Sequence, residues 1–486
     1  MSKIIGIKRA DNSDDGFTNL NNNEIKLYLQ ILSPHNSLTA QACAVEYFRR
    51  LLVRDHLPPP PLVDTLIKRL IRCLRVNFAN IQRDAAWALT NCACSPHEIC
   101  DKIIQYGGLE ALVECAKTTE GETRDQVFWT LGNIALDCPS CQQQVKNSAA
   151  LPFMIGVLVA PMFIHSKWQR NLVWALSQIF RGGMQTLPIE IVETALEGLH
   201  SMLYLDDGRL KADAIWTVAH IADDNIDGAQ IDAVLDTPHL LERLIELLDE
   251  NDTVRAALRA LGNLIAGRDD QTQTVLNAGL LPHLMKLLQV KTPINHTREV
   301  TWILSNIAAG PYRQIDLLFE TNDIVEILVD AFNSSDYRTR KALFSFHLFP
   351  LSSCQLKFRE ISILIWNTLQ EIGWIVTNAL TGASLNRSRW LCGSNLLSVV
   401  PELLKLHQEQ SLIDRTLAAI ELLIAKRTNL IFVLENYQII QSIRQIVRNE
   451  NNLFSSFIKA RARRILIQER NYKAERIPAR TYILVR

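Results

Sequence analysis

Seven segments of this chain repeat one motif, a Trp followed four residues later by an Asn, with variants at single positions. They are AAWALTN (85–91), VFWTLGN (127–133), LVWALSQ (172–178), AIWTVAH (214–220), ALRALGN (257–263), VTWILSN (300–306) and IGWIVTN (372–378). Their anchor positions lie 42, 45, 42, 43, 43 and 72 residues apart. A period in the low forties constrains the chain to an array of similar structural units.

A second series of segments lies between these anchors and has apolar residues at helical i, i+3, i+4 and i+7 spacing. It includes GGLEALVECA (107–116), AALPFMIGVL (149–158), AGLLPHLMKLL (278–288) and NDIVEILVDAF (322–332). A Gly or other small residue before the apolar run suits a tight corner between helices. One unit cannot bury its apolar face alone, whereas stacked units share a continuous core. Two to three helices per unit without a strand pattern predict an all-α fold of the armadillo/HEAT class.

The composition argues against several classes of protein. Lys plus Arg number 51 and equal Asp plus Glu, so the 486-residue chain lacks the basic excess of a generic nucleic-acid binder. The first residues, MSKIIGIKRADNSDDGF, contain no apolar stretch long enough for a secretory signal. Without an uncharged apolar run of about 18 residues, we expect no membrane span. Ten cysteines in such a chain indicate reduced cytosolic or nuclear thiols.

The cysteine pattern offers one candidate for a metal site. Cys138 and Cys141 have the spacing of a zinc-ligand pair, but a second pair is missing because Cys92 and Cys94 are one residue too close. We therefore expect unpaired thiols at a helix end, with no metal and no cofactor. Since no catalytic constellation recurs at a common face, we also expect no enzymatic activity.

The 72-residue step is the exception to the period. Removing 342–370 would reduce it to 43 residues. This segment, ALFSFHLFPLSSCQLKFREISILIWNTLQ, directly precedes a motif helix and is rich in Phe, Leu, Ile and Ser. We hypothesise that it is an unspliced or alternative segment of the gene model, which would disturb the seventh motif helix if retained. The rival hypothesis is a genuine loop with a helical ISILIWNTL portion.

The motif segments resemble the importin alpha family, the armadillo-repeat adaptors of nuclear import. RDAAWALTN, VFWTLGNIALD, RNLVWALSQ, ALRALGNLIAG and REVTWILSNIAAG look like its successive repeats, and the family also departs from Trp where this chain has Arg259. The resemblance runs from about Asn23 to about Gln408 and more weakly to about Gln468. It implies a right-handed superhelical solenoid of about ten armadillo repeats over 23–470, between a disordered N-terminus (1–22) and a basic C-terminal tail (471–486).

The motif has a physical use in such an array. A Trp and an Asn four residues apart share one helix face, and stacked units align those faces along a concave surface. Slots between indoles accept Lys and Arg stems, each contact contributing on the order of 0.5–2 kcal/mol. The Asn amide can pair with both the N–H and the C=O of an extended peptide. We name Trp87, Trp129 and Trp174 the first tryptophan row, and Trp302 and Trp374 the second.

Selectivity for Lys and Arg must then come from carboxylates beside the slots. Three acids precede an anchor Trp by three residues and share its face, namely Asp213, Glu299 and Glu371. The resemblance implies that Asp137 pairs with the key Lys of a nuclear localisation signal. The predicted major site comprises Trp87, Asn91, Trp129, Asn133, Asp137, Trp174, Gln178, Asp213 and Trp216. The predicted minor site, for the second cluster of a bipartite signal, comprises Arg259, Asn263, Glu299, Trp302, Asn306, Glu371, Trp374 and Asn378.

These assignments have a structural alternative. A Trp at helical spacing is more often a core residue, but a core would not repeat Asn at one offset, because a buried unpaired amide costs roughly 1–3 kcal/mol. For each acid alone, a solvated helix end or an internal salt bridge is the alternative. His220 stands where the motif has Asn and could titrate near neutral pH or make a surface hydrogen bond. Ser95 and Cys100 replace a family Gly and Thr, which predicts an altered Lys preference.

The resemblance also implies partners and location. It implies a monomeric adaptor that carries proteins with basic localisation signals between cytoplasm and nucleus, without nucleic acid or a membrane span. Importin beta and an export receptor are the further partners of the family. Residues 1–40 contain only Lys3, Lys8, Arg9 and Lys26, whereas the family has a dense basic segment there. We therefore expect an open groove and leave importin beta binding undecided. The alternative function is an armadillo-repeat scaffold outside nuclear import.

Overall fold

The protein is described here by a computed structural model. The structure describes residues 22–476 apart from 54–56, 161–167, 183–186, 224–226, 290–292, 322, 335–352, 427–429 and 450–452. These described residues form α-helices and short 3-10 turns without a β-strand, so the predicted all-α fold is confirmed. The chain divides into two compact units, Met1–Ala260 and Leu261–Arg486.

The first unit is built from helices of about two to four turns. They are α1 (Asn22–Ile31), α2 (Leu38–Val53), α3 (Leu62–Leu74), α4 (Ala79–Ala93), α5 (His97–Gln105), α6 (Gly108–Thr118), α7 (Glu122–Asp137), α8 (Pro139–Asn147), α9 (Ala150–Leu158), α10 (Arg170–Phe180), α11 (Ile189–Met202), α12 (Gly208–Ile221), α13 (Ala229–Asp236), α14 (Leu240–Glu246) and a 3-10 turn, Leu247–Asp249. Helix α15 (Val254–Ile265) contains the boundary between the units. Each predicted motif segment of this unit lies on a helix.

The second unit continues the pattern. Its helices are α16 (Asp269–Asn277), α17 (Leu280–Gln289), α18 (Ile294–Ala309), α19 (Tyr312–Glu320), α20 (Ile324–Ser334), α21 (Ser353–Gly382), α22 (Leu385–Gly393), a 3-10 turn (Asn395–Val399), α23 (Val400–Leu403), α24 (Gln410–Lys426), α25 (Leu430–Asn436), α26 (Ile439–Arg448) and α27 (Ser456–Arg476). None of the helices in the described residues is long and apolar enough to cross a membrane.

Buried apolar stripes hold the helices together. In α6, the residues Leu109, Leu112, Val113 and Ala116 are all buried at the spacing that the sequence predicted. Each Leu or Val buried in this way contributes roughly 1.5–3 kcal/mol relative to an exposed position. The stripe therefore explains why this segment folds only against its neighbours in the array.

The corner before the apolar helix recurs through the array. Gly107 and Gly279 precede α6 and α17 with φ of 77° and 89°, the left-handed conformation that glycine adopts without strain. Asp323 takes the same conformation before α20, as do His239 before α14 and Gln438 before α26. Five repeats thus make one corner, and three of them tolerate the steric cost of a side chain there.

The proposed insertion 342–370 is described only in part. Residues 335–352 lie outside the described residues, whereas 353–370 belong to α21, which runs without interruption through the seventh motif. Leu369, Ile372, Ile375 and Val376 on this helix are buried. The seventh motif is therefore helical, with its apolar stripe in the core.

At both ends of the predicted solenoid, the described residues stop within a few positions of the predicted boundary. The predicted N-terminal segment lies outside the described residues up to 21, and α1 begins at Asn22. At the other end, α27 extends to Arg476, and 477–486 lie outside the described residues. Arg461 of α27 forms an ion pair of 2.7 Å with Asp414 of α24, so this basic helix docks on the preceding repeat.

Candidate functional site

Buried polar side chains align the motif helices of the first unit. The Thr90 and Thr130 hydroxyl oxygens lie 2.8 Å apart, between α4 and α7. Gln126 donates from Nε2 to the Thr90 hydroxyl at 2.6 Å, and the Thr130 hydroxyl donates to the backbone carbonyl of Ala86 at 3.2 Å. These bonds fix the register of neighbouring motif helices, because a shift along the helix axis would leave buried hydroxyls unpaired.

The motif tryptophans are half-buried rather than buried. All six share this intermediate exposure, while the apolar residues around them on the same helices are buried; they are Trp87, Trp129, Trp174, Trp216, Trp302 and Trp374. The side chains therefore stand at the edge of the core, with part of each ring accessible. Arginine side chains of the chain itself make cation–π contacts with two of these rings. The guanidinium carbon of Arg49 lies 4.5 Å from the ring centroid of Trp87, and that of Arg255 lies 6.0 Å from the ring centroid of Trp216.

Two glycines make room for the next motif's indole. A Cβ on Gly132 would lie 2.5 Å from Cζ3 of Trp174, and a Cβ on Gly262 would lie 2.3 Å from Cζ3 of Trp302. Both glycines directly precede a motif Asn. Each of these rings therefore packs against the preceding motif helix, which sets the ring position relative to that helix's Asn.

The motif amides combine internal bonds with uncommitted atoms. Asn133 donates from Nδ2 to the Thr90 carbonyl at 3.4 Å and to the Cys94 sulfur at 3.2 Å. Its Oδ1 is buried without a hydrogen-bond partner among the described residues, as are Nδ2 of Asn91 and Nδ2 of Asn306. Gln178 turns its Nε2 to the Ser177 hydroxyl at 2.8 Å. An unpaired buried amide atom is costly, so these three atoms are a local source of instability in the folded chain.

Asp137 lies at the end of α7 and its side chain is only 4% exposed. Its Oδ2 is 2.5 Å from Nδ1 of His97, the first residue of α5. This hydrogen bond, together with the charge of Asp101, raises the pKa of His97 above its ordinary value. Asp137 is thus covered by an internal partner, which a Lys side chain would have to replace.

The neighbouring predicted Lys contacts are also engaged internally. The Ser95 hydroxyl donates to the Asn91 carbonyl at 3.2 Å. The buried Cys100 thiol faces the Ala93 carbonyl at 3.4 Å, and burial raises its pKa. Sequence reasoning missed the role of His97, because that residue lies 40 positions before Asp137 in the adjacent repeat.

Asp213 carries the most perturbed carboxyl of the first row. Burial, reinforced by the negative charge of Asp207, raises the pKa of Asp213 to about 6. Asp207 itself pairs with Arg170 at 2.5 Å. A positive charge placed beside Asp213 would relieve this cost, which makes it an acceptor for a cationic group.

His220 does not behave as a switch near neutral pH. Burial and the charges of Arg181, Lys146 and Arg259 lower the pKa of His220 to about 4. Its ring stacks on Trp216 with centroids 6.0 Å apart. The imidazole is therefore neutral at pH 7 and serves as a flat extension of the indole surface.

The second row lines an open cavity of about 580 Å³. Five predicted minor-site residues line it together: Trp302, Asn306, Glu371, Trp374 and Asn378. Oε2 of Glu371 accepts a hydrogen bond from the Ser305 hydroxyl at 2.6 Å. Burial, with a smaller contribution from the charge of Glu299, raises the pKa of Glu371. The cavity thus joins two indoles, two amides and a carboxyl.

The other predicted minor-site residues lie outside this lining. Glu299 is 9% exposed, and Arg259 and Asn263 are half-buried on α15. The structure adds three residues from α24 that sequence reasoning missed, Ser411, Asp414 and Arg415. The period could have found them, because the next unit is due about 42 residues after Trp374.

Comparisons with known proteins agree with the armadillo-repeat fold. The model of the Armadillo/beta-catenin-like repeat matches residues 59–94, 96–136 and 268–309. Importin subunit alpha-1a of Oryza sativa subsp. japonica is 31% identical over 302 residues, covering 60% of this chain and 55% of that protein. Importin subunit alpha-2 of Caenorhabditis elegans is 27% identical over 293 residues, covering 59% and 54%. The chain is an importin alpha-like armadillo-repeat protein.

The solved structures support the fold of this importin alpha-like protein. The crystal structure of an engineered protein aligns with a TM-score of 0.71 at 20% identity, covering 93% of this chain and 99% of that one. The importin alpha-like chain spans about half the length of the curated relatives it matches. Importin alpha and armadillo-repeat proteins are adaptors and scaffolds rather than enzymes, in agreement with the non-enzymatic role expected from the sequence.

Proposed function

We propose that this importin alpha-like protein is a nuclear import adaptor that binds Lys- and Arg-rich localisation signals as extended peptides. The observation that carries the proposal is the cavity of the second row, where Trp302 and Trp374 lie beside Glu371 and Asn306. Apolar walls that end at a carboxylate suit a long aliphatic stem with a cationic head. The names of the similar importin subunits supply the cellular context.

The amides of the motif would hold the peptide backbone. Nδ2 of Asn306 and Nδ2 of Asn91 are buried without a partner among the described residues, one in each unit. Pairing them with carbonyl oxygens of a bound chain would remove a desolvation cost of roughly 1–3 kcal/mol each. Because a backbone carbonyl belongs to every residue, this contribution favours an extended peptide of any sequence.

The acids would add the charge preference. Asp213 and Glu371 are both partly buried carboxyls whose pKa values are raised, so both are stabilised by an incoming cation. The two rows, one in each unit, would take the two basic clusters of a bipartite signal. The protein would then act in the cytoplasm and the nucleus, with importin beta and an export receptor as its further partners.

The alternative is an armadillo-repeat scaffold that binds extended partners outside nuclear import. It shares the peptide-binding fold and differs in ligand charge and in cellular partners. Half-buried acids beside the indoles favour cationic over acidic ligands. Recruitment of importin beta and nuclear accumulation of a bound cargo would distinguish an import adaptor from a scaffold.

The binding test uses fluorescence anisotropy with a Lys/Arg-rich two-cluster peptide and an acidic peptide of equal length. We expect the basic peptide alone to bind, and Trp302→Ala to weaken it by about 2 kcal/mol, or roughly 30-fold. The matched control is Trp390→Ala, which removes a 47% exposed Trp of α22 outside both rows. Glu371→Gln tests the same cavity without removing its ring.

Equal binding of the acidic peptide would contradict the proposal. So would an equal loss of affinity in Trp390→Ala and Trp302→Ala, because the effect would then be independent of the row. A melting temperature near that of the wild type shows that each variant is folded.

A further inference from the structure

A group of potential metal ligands lies where α7 meets α8 in the first unit. It consists of His97, Asp137, Cys138 and Cys141, whose imidazole, carboxylate and sulfur donor atoms all lie within 4.8 Å of one another. Spacing along the chain revealed only the two cysteines. The other two donors come from the end of α7 and from the start of α5 in the preceding repeat.

Two of the donor–donor distances can be compared with those around a tetrahedral ion. Metal–ligand distances of about 2.0–2.3 Å place tetrahedral donors about 3.3–3.8 Å apart. The Cys141 sulfur is 3.8 Å from Oδ2 of Asp137, and Nδ1 of His97 is 2.5 Å from the same oxygen. For an ion to fit between them, the distance from the imidazole nitrogen to the carboxylate oxygen would have to increase by about 1 Å or slightly less. An exposed His side chain can make that movement.

Residues around the cluster orient its donors as metal sites require. Nε2 of His97 lies 3.2 Å from Asp101, so its Nδ1 faces the cluster; a carboxylate on the far nitrogen is usual for a ligating His. The backbone N–H of Cys141 donates to the Cys138 sulfur at 3.1 Å. Cys138 is the N-cap residue of α8, so its sulfur lies at the start of that helix, beside Cys141.

The donor types select the ion. Two thiols with one imidazole and one carboxylate suit Zn²⁺, whereas Mg²⁺ and Ca²⁺ prefer sites made of oxygen donors. Four donors from side chains leave no open position, which is the mark of a structural rather than a catalytic zinc site.

We propose that His97, Asp137, Cys138 and Cys141 form a zinc site that ties two neighbouring repeats together. This revises the expectation of unpaired thiols at a helix end. Because Asp137 is also a predicted contact for the key Lys of a localisation signal, zinc and that Lys compete for one carboxylate. This competition rests on the proposed function, while the zinc site itself does not.

The metal test uses the full chain under reducing conditions. After loading with Zn²⁺ and dialysis, we expect one zinc per chain by elemental analysis, and a thiolate-to-cobalt absorption band after Co²⁺ substitution. Cys138→Ser keeps an acceptor for the Cys141 N–H and should preserve the cap, yet lower the zinc affinity at least tenfold. Asp101→Asn should lower it about 10–100-fold through the orientation of His97.

Cys43→Ser is the matched control, because it removes an exposed thiol of α2 far from the cluster in sequence. It should leave zinc affinity unchanged. Failure of the reduced wild type to bind zinc, or equal zinc affinity in Cys138→Ser and wild type, would overturn the site.

The competition is tested separately with the Lys/Arg-rich peptide. Zinc should weaken peptide binding several-fold in the wild type and have no effect in Cys138→Ser. Zinc binding without any change in peptide affinity would overturn the competition and leave the zinc site standing. Absence of peptide binding to the zinc-free protein would instead refute the proposed function, so the two failures are distinguishable.

Discussion

Asp137 beside the first tryptophan row lies against His97, whereas Glu371 beside the second row accepts a single hydrogen bond from Ser305 and still lines an open cavity. The same motif thus presents its acids in two ways. In the first unit Asp137 is covered by His97 and Asp213 carries a cost of burial, whereas in the second unit Glu371, although partly buried, lines a space for a side chain. One repeat motif therefore fixes where the rings stand, while residues outside the motif decide how available each acid is.

The largest expected effect concerns Asp213, the acid beside the first row whose ionised form is destabilised by burial. Its folded-state pKa of about 6 lies above the ordinary value of 3.8, so the folded state holds the proton more tightly than the unfolded state. The free energy of unfolding should therefore fall as the pH rises from about 4 to about 6. Asp213→Asn removes this cost and should stabilise the protein at pH 7.5 by up to about 3 kcal/mol.

Urea unfolding at pH 7.5 and below pH 4 measures this gain, which should vanish at the lower pH. The exposed Asp206→Asn is the control and should change neither value. If Asp213 contacts a peptide cation, the stabilised variant should also bind the Lys/Arg-rich peptide roughly tenfold more weakly. A variant destabilised at pH 7.5 would show that Asp213 has a structural partner instead.

The second prediction concerns the glycines that face an indole in each unit. A Cβ at Gly132 or Gly262 would lie within 2.5 Å of Trp174 or Trp302, respectively, so an Ala there must displace a ring. We expect each substitution to lower the free energy of unfolding by roughly 1–3 kcal/mol. Gly156→Ala in α9 is the control: its added Cβ meets nothing within 4 Å, so the change should be neutral or stabilising.

Peptide binding by these two variants sharpens the comparison between the rows. Gly132→Ala should weaken binding of the cluster held by the first row, and Gly262→Ala that of the second. Thermal melts and anisotropy together measure both effects. Unchanged stability in both variants would mean that the rings do not depend on the glycines.

The smallest expected effect concerns Arg461, which pairs with Asp414 in the lining of the second-row cavity. Arg461→Gln should free this carboxylate and strengthen binding of a Lys/Arg-rich peptide by about 0.5 kcal/mol, or roughly twofold. The measurement is best made in a Trp174→Ala background, where binding reports the second row. Arg464→Gln is the control, since the 3.0 Å ion pair of Arg464 is with Glu421 rather than with a residue of the cavity lining. Weaker binding in Arg461→Gln would indicate that Arg461 itself takes part in the site.

The repeat period was sufficient to predict the helical fold and the positions of the motif helices. It also placed Trp302, Asn306, Glu371, Trp374 and Asn378 together, because one face of two stacked helices follows from spacing alone. The left-handed corner at Gln438 could not be predicted from the period, since Gln is not a residue that local preference puts in this conformation.

The pairing of His97 with Asp137 could not be predicted either. The two residues are 40 positions apart and belong to different repeats, so their contact depends on how the repeats stack. The raised pKa of Asp213 likewise arises from burial by neighbouring helices. Local motifs predict which faces meet, whereas the state of each ionisable group depends on side chains that come from other repeats.

The contacts of Gly132 with Trp174 and of Gly262 with Trp302 show that the position of a motif ring is set by the preceding repeat. The smallest interchangeable part of this molecule is therefore a pair of repeats. A chimera that joins one of these tryptophan repeats to a foreign neighbour with a larger residue at the glycine position would lose the ring's placement, even with every residue of the grafted repeat intact.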